Sequence, residues 1–186
     1  MTLPDLLTDA LDVLFVGINP SVYSAERGHY FARGSNRFWP CISRSVLTER
    51  ARAALAVTVL APEHDRALLA YGIGFTDLVK RATPKASDLT RAELAAGVDG
   101  LLAKIERYRP GVACFHGVTG YRHVHDLLTG KTAGVELGLQ SMRPAGTRLF
   151  LVPNPSGANA HFSREQQTQW YDALAELLAS LSKALP

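Results

Sequence analysis

The sequence predicts an α/β fold, a three-layer sandwich with a short central parallel sheet flanked by helices. Three observations predict it. The apolar runs Val13–Ile18, Gly111–Phe115 and Arg148–Val152 are continuous rather than alternating, as expected of strands covered on both faces. Helical stretches separate these runs, and strands alternating with helices argue for a parallel sheet. Two of the runs stop abruptly at an Asn-Pro dipeptide, Asn19-Pro20 and Asn154-Pro155. In an open α/β sheet, ligands bind outside the carboxyl ends of the strands. Two such strand-end loops, far apart in sequence, predict one site built from both.

Taken in order, Val13–Ile18 is the first strand, followed by a loop carrying Tyr30, Phe31, Ala32 and Arg33. Asn36–Leu47 and Pro62–Tyr71 read as helices, and Ile73–Thr76 as a short strand. The loop Thr83–Asp88 is expected to be mobile. Thr90-Arg91-Ala92-Glu93 has the form of a capping box and opens a helix to about Tyr108, stopped by Pro110. Gly111–Phe115 is a strand, Gly117–Leu128 a helix and Arg148–Val152 a strand. Ser163-Arg164-Glu165-Gln166 is a second capping box, opening a last helix to about Leu181. Trp170, Leu174 and Leu177 recur on one face of it, which places Trp170 in the core.

With 186 residues and no internal repeat or linker, residues 1–186 form one domain. A 47% hydrophobic content against 20% charged residues is enough to bury a substantial core. The formal charge of +3 permits a polyanionic partner without requiring one. Two cysteines, Cys41 and Cys114, exclude a disulfide framework or a four-thiolate cluster. Both sit beside apolar residues as small buried hydrophobes, a usage that suits a reducing cytoplasm. No apolar stretch approaches the roughly 20 residues of a membrane span. The start, with Pro4, Asp5 and Asp9, lacks the basic opening of a signal peptide. Neither a dinucleotide fingerprint, a Walker loop, a His-Glu-x-x-His pair nor a Gly-x-Ser-x-Gly elbow is present. His116, His123 and His125 lack cysteines or carboxylates at metal-ligand spacing, so they read as neutral surface or helix positions.

Six segments in register carry more. They are Gly17-Ile18-Asn19-Pro20, Phe31-Ala32, Asn36-Arg37-Phe38-Trp39, Gly72-Ile73-Gly74-Phe75-Thr76, Gly138-Leu139-Gln140 and Asn154-Pro155-Ser156-Gly157. Together they resemble the mismatch-specific uracil-DNA glycosylases, bacterial relatives of thymine-DNA glycosylase, over roughly Asp12 to Leu178. The resemblance implies a uracil-DNA glycosylase fold and monofunctional hydrolysis of the N-glycosidic bond to uracil, especially at G·U mismatches. Free base and an abasic site would result, for base-excision repair. It implies no cofactor and no metal. The expected partners are double-stranded DNA containing uracil or a mismatched base, and single-stranded DNA, met by a monomer in the cytoplasm. A damaged-DNA-binding module that cleaves poorly and a glycosidase of free nucleosides are the alternatives.

By the same resemblance, Asn19 matches the catalytic Asn. Its amide is no base near neutral pH, but it can hold a water in line with C1′. Phe31 matches the aromatic on which the base stacks. Gly17, the backbone around Ile18 and Ser21, and the second loop's Asn154 and Ser156 would contact the uracil. Main-chain N–H groups aimed at O2 would stabilise the anionic leaving base, as an oxyanion hole does. Two residues depart from the pattern. Ser21 stands where the family usually has Gly, and Asp77 stands where relatives carry a non-acidic residue. A carboxylate at that strand end can accept the water's proton or stabilise positive charge on the sugar, so Asp77 is a second catalytic candidate. Capping a helix or pairing with Lys80 or Arg81 is its structural alternative.

Gly157, Ala158, Asn159 and His161 occupy the expected DNA wedge, which is small here and lacks an Arg, so weak mismatch selectivity is expected. Arg27, Arg33, Lys80, Arg81 and Lys85 are candidate phosphate contacts, Lys80 and Arg81 foremost. Asn36-Arg37-Phe38-Trp39 reads as structural.

Overall fold

A computed structural model describes residues 1–130 and 134–182. Its centre is a five-stranded sheet in the order β2-β1-β3-β5-β4. The strands are β1 (Val13–Gly17), β2 (Ile73–Asp77), β3 (Val112–His116), β4 (Gly138–Leu139) and β5 (Arg148–Val152). Four pair in parallel, as their continuous apolar character requires. The two-residue β4 runs antiparallel on β5, an edge too short to leave a sequence signal. Gly17 faces Asp77 across the β1–β2 pair, and Val16 faces Phe115 across β1–β3. The carboxyl ends of β2, β1 and β3 therefore lie level.

The helices are α1 (Val22–Arg27), α2 (Phe38–Ile42), α3 (Glu49–Ala54), α4 (Arg91–Tyr108), α5 (Val118–Thr129) and α6 (Arg164–Ser182). Both capping boxes form. The Glu93 amide donates to Thr90 Oγ1 at 3.2 Å while Thr90 N–H donates to the Glu93 carboxylate at 2.8 Å. Ser163 and Gln166 exchange the equivalent pair at 2.8 and 3.1 Å.

Elsewhere the helical pattern breaks up. Asn36–Leu47 is α-helical only over α2, with a 3-10 turn beginning at Val46; Asn36 Oδ1 accepts the Phe38 N–H at 2.8 Å and holds residue 36 outside the helix. Pro62–Tyr71 is two 3-10 turns, Pro62–His64 and Ala67–Tyr71, rather than an α-helix. Helices α1 and α3 carry no apolar period of their own and were not expected.

Two apolar layers sandwich the sheet. One joins Phe15, Phe38, Phe75, Cys114 and Tyr171, and the other joins Leu14, Val16, Leu101, Phe115 and Tyr121. Both cysteines are buried within this core, as expected. Trp170 is only half buried, packed edge-on against Phe150, while Leu174 takes the fully buried position on that face of α6. No described helix is long and apolar enough to cross a membrane.

Candidate active site

A cavity of about 270 Å³ opens at the carboxyl ends of β1, β2 and β3. Its walls include Gly17, Ile18, Asn19, Ser21, Phe31, Asp77, His116, Asn154 and Ser156. Both Asn-Pro loops thus reach one cavity.

Asn19 is held by its amide nitrogen. Nδ2 donates to Thr83 Oγ1 at 2.7 Å, the Arg81 carbonyl at 3.1 Å and the Pro20 carbonyl at 3.3 Å. These acceptors fix the amide orientation and leave Oδ1 to accept from a ligand or a water. The segment holding it is Thr83–Asp88. Thr83 is buried and donates to the Lys85 carbonyl at 2.7 Å, and Lys85 N–H donates to Asp88 at 3.1 Å. The loop Thr83–Asp88 carries these internal hydrogen bonds and anchors Asn19 through Thr83.

Ser21 does not spend its hydroxyl on the cavity. Oγ accepts the Ser24 N–H at 3.1 Å and caps α1, which is where Ser is favoured. The departure from Gly thus builds a helix start.

Asp77 is the last residue of β2, 4% exposed, and lies across from Gly17. The glycine is a requirement, because a Cβ at residue 17 would fall 2.6 Å from Asp77 Oδ1. Asp77 Oδ2 has no hydrogen-bond partner among the described residues. Lys80 Nζ approaches it to 3.5 Å, near enough for Coulomb attraction but not a hydrogen bond. Burial pushes the carboxyl from 3.8 up to about 6, with Lys80 pulling down against that and Asp5 adding to it. Of the structural alternatives, helix capping fails because no helix follows β2 directly, whereas pairing with Lys80 is present as an ion pair at 3.5 Å.

Lys80 is committed elsewhere. Its ammonium donates to Asp5 at 2.6 Å and to Tyr30 Oη at 3.3 Å. Asp5 also takes Lys104 at 2.8 Å and the Thr76 hydroxyl at 2.8 Å. Burial would raise the Asp5 carboxyl, but hydrogen bonds from Lys104, Lys80 and Thr76 outweigh it and hold it below its ordinary value. Arg81 forks onto Glu93 and donates to the Asp88 carbonyl at 3.0 Å. Both candidate phosphate contacts are therefore occupied by internal partners. Arg33 lies on the cavity rim, and Arg27 stands over the Tyr23 ring at 5.3 Å.

Phe31 adopts a φ of +53°, a left-handed conformation unusual for a bulky residue. One of its faces stacks on Phe38 at 4.1 Å, and its ring also lines the cavity. The Phe38 ring in turn packs against Phe15 and Phe75. Asn36-Arg37-Phe38-Trp39 is structural in this sense, but Arg37 does more. Its N–H donates to the Pro155 carbonyl at 2.8 Å, and its guanidinium donates to the Phe162 carbonyl at 2.8 Å and the Gly157 carbonyl at 3.4 Å. Arg37 thereby pins the second loop.

Within that loop, Asn154 Oδ1 accepts the Ser156 N–H at 2.9 Å and Asn159 Nδ2 donates back to the Asn154 carbonyl at 2.9 Å. Gly157 lies so close to Ser35 that a Cβ would sit 2.5 Å from its carbonyl oxygen. Asn159 Oδ1 also accepts the His161 N–H at 3.1 Å. Ala158 and His161 are exposed and Asn159 is half-buried.

His116 corrects a sequence expectation. It is neither a surface nor a helix residue but the last residue of β3, 7% exposed, on the cavity floor. A continuous apolar run ending one residue earlier hid it. Burial drives its pKa down to about 3, so the ring is neutral at pH 7. Among the described residues no group of three or more His, Cys, Asp or Glu is placed to hold a metal ion.

A short, mostly parallel α/β sheet thus carries an Asn, a buried carboxylate and a stacked Phe around one cavity at its carboxyl edge. The model of the uracil DNA glycosylase superfamily matches residues 4–178. The chain belongs to that superfamily and is a DNA glycosylase by class. A solution NMR structure described as a "putative Uracil DNA glycosylase" from Methanosarcina acetivorans superposes with a TM-score of 0.60 at 22% identity. The match covers 95% of this chain and 96% of that one, and it shows the shared fold.

Proposed function

We propose that the protein is a monofunctional DNA glycosylase of the mismatch-specific type that hydrolyses the N-glycosidic bond of uracil in DNA, leaving free base and an abasic site. The observation that carries this reading is Asp77, a buried carboxylate whose Oδ2 accepts no hydrogen bond from the described residues, in one cavity with the anchored amide of Asn19.

The target nucleotide has to leave the stack before any side chain reaches C1′, and a mispaired base costs least to extrude. G·U is then favoured through the cost of flipping. The small wedge of Ala158, Asn159 and His161 adds little grip on the opposing guanine. The extruded base stacks on the face of Phe31 that Phe38 leaves uncovered. Asn19 Oδ1 accepts a hydrogen bond from the attacking water and orients it. With a pKa of about 6, Asp77 is ionised in about ten molecules for each one protonated at pH 7. It can take the water's proton as the C1′–O bond forms, or offset positive charge on the sugar as the C1′–N bond breaks. Gly17, Ile18, Ser21, Asn154 and Ser156 shape the remaining wall.

Single-turnover base release from duplexes carrying G·U, A·U or G·T, and from single-stranded uracil DNA, tests the proposal. Wild type is expected to release uracil, with Asp77→Asn slower by roughly 10²–10⁴-fold and Asn19→Ala impaired less. Wild type that binds these duplexes and releases nothing would establish a binding module instead. Activity confined to free nucleosides would establish a nucleosidase.

A further inference from the structure

We propose that Asp65 is the positioning residue of the stacking ring, holding the backbone beside Phe31 so that the ring stands ready before a base arrives. The proposal rests on reading Phe31 as the surface on which the base stacks.

Asp65 lies between the two 3-10 turns Pro62–His64 and Ala67–Tyr71 and is 1% exposed. A buried carboxylate is costly unless hydrogen bonds compensate it. Here they come mainly from the loop that carries Phe31. Asp65 Oδ2 accepts the Tyr30 N–H at 3.0 Å, while Oδ1 lies 3.1 Å from His29 Nδ1 and accepts the Arg66 N–H at 2.7 Å. A carboxylate only accepts, so His29 donates from Nδ1. Asp65 thus grips the two residues that precede Phe31 from 35 residues away.

The grip matters because Phe31 stands at a φ of +53°. That conformation is unfavourable for a bulky side chain and persists only where the surroundings over-determine it. Three side chains from three parts of the chain do so. Besides Asp65, Trp39 Nε1 donates to the Tyr30 carbonyl at 2.9 Å and Ser24 Oγ accepts the Ala32 N–H at 3.2 Å. The Tyr30 ring is fastened as well, stacked on Phe75 at 5.2 Å with its hydroxyl donating to the Pro4 carbonyl at 3.0 Å. Trp39 and Ser24 are residues of α2 and α1. Asp65 belongs to no helix, and beyond Arg66 its side chain bonds to this loop alone among the described residues. A ring ordered in advance spares the incoming base the entropic cost of ordering it.

The ratio of affinities for a duplex bearing an uncleavable 2′-fluorinated uridine and for an abasic duplex isolates this stacking. Asp65→Asn keeps the size of the side chain but has one acceptor oxygen, so it loses either the Tyr30 or the Arg66 N–H. It should lower the ratio by about 10-fold and speed amide exchange at Tyr30 and Ala32. Phe31→Ala should lower the ratio by roughly 5- to 150-fold. Adding Asp65→Asn to Phe31→Ala should change it by less than about 2-fold. Ser24→Ala removes another hold on the same backbone and should act as Asp65→Asn does, so it decides the question if the Asp65 variant fails to fold. A ratio that falls equally with and without the Phe31 ring marks a merely structural residue and would overturn the proposal. An unchanged ratio in Asp65→Asn beside a lowered one in Phe31→Ala would overturn the proposal alone. An unchanged ratio in Phe31→Ala would overturn the stacking reading and the proposal with it.

Discussion

Replacing Asp77 by Asn separates a catalytic carboxylate from a structural one through stability alone. Burial lifts the Asp77 carboxyl from 3.8 to about 6. Between those values the folded chain holds a proton that the unfolded chain has lost, so stability falls as pH rises through the window. Above pH 6 the full cost is present. A rise of about two units at 1.36 kcal/mol each makes it about 3 kcal/mol. Asp77→Asn removes this cost and forfeits the weak attraction to Lys80, so 3 kcal/mol is its upper bound. Urea unfolding of both proteins at pH 8 and near pH 4 measures it. The variant should be more stable at pH 8, the gain should shrink toward pH 4, and base release should be nearly lost. For a chain this long, the gain corresponds to a Tm rise of roughly 6–12 °C. A variant equally or less stable at pH 8, or a gain independent of pH, would refute the reasoning.

Other substitutions probe the remaining parts. Gly17→Ala would drive a methyl to 2.6 Å from Asp77 Oδ1 within a strand paired on both sides. Base release should drop about 10²-fold, with a stability loss of roughly 1–3 kcal/mol by urea titration. Phe31→Ala removes the stacking surface, worth roughly 1–3 kcal/mol, and should weaken binding of an uncleavable uracil duplex more than binding of an abasic one. Arg37→Ala frees the Gly157 and Phe162 carbonyls, and the second loop should become more open to hydrogen exchange and to proteolysis near Gly157. Arg33→Ala should reduce the salt dependence of DNA affinity by about one unit of log–log slope. Arg81→Ala should change it less, because the Arg81 guanidinium already faces Glu93.

Four of the five strands and both capping boxes were legible because each has a local cause: a run of strand-forming residues, or a side chain able to satisfy an orphan amide three residues on. The cavity was legible because the two Asn-Pro loops end parallel strands. What escaped was set by contacts distant in sequence. Nothing around Lys80 foretells that Asp5, 75 residues away, takes its charge. Arg37 reads as part of a packing segment until its guanidinium is seen on Phe162, 125 residues on. His116 was misplaced by one residue of strand length. A register that sets residue 116 level with Gly17 and Asp77 was the missing signal, and a single sequence does not print register.

The distribution of charge around the cavity explains how a buried, half-satisfied carboxylate persists. Asp5 takes both nearby ammonium groups, Lys80 at 2.6 Å and Lys104 at 2.8 Å, and leaves Asp77 with a Lys80 contact of 3.5 Å. Had Lys80 closed on Asp77 as an unshared ion pair, the carboxyl would be held low, fully ionised and a poor proton acceptor. Had no cation stood near, burial alone would push it higher, protonated at neutral pH and unable to accept at all. Sharing Lys80 with Asp5 keeps Asp77 between these limits.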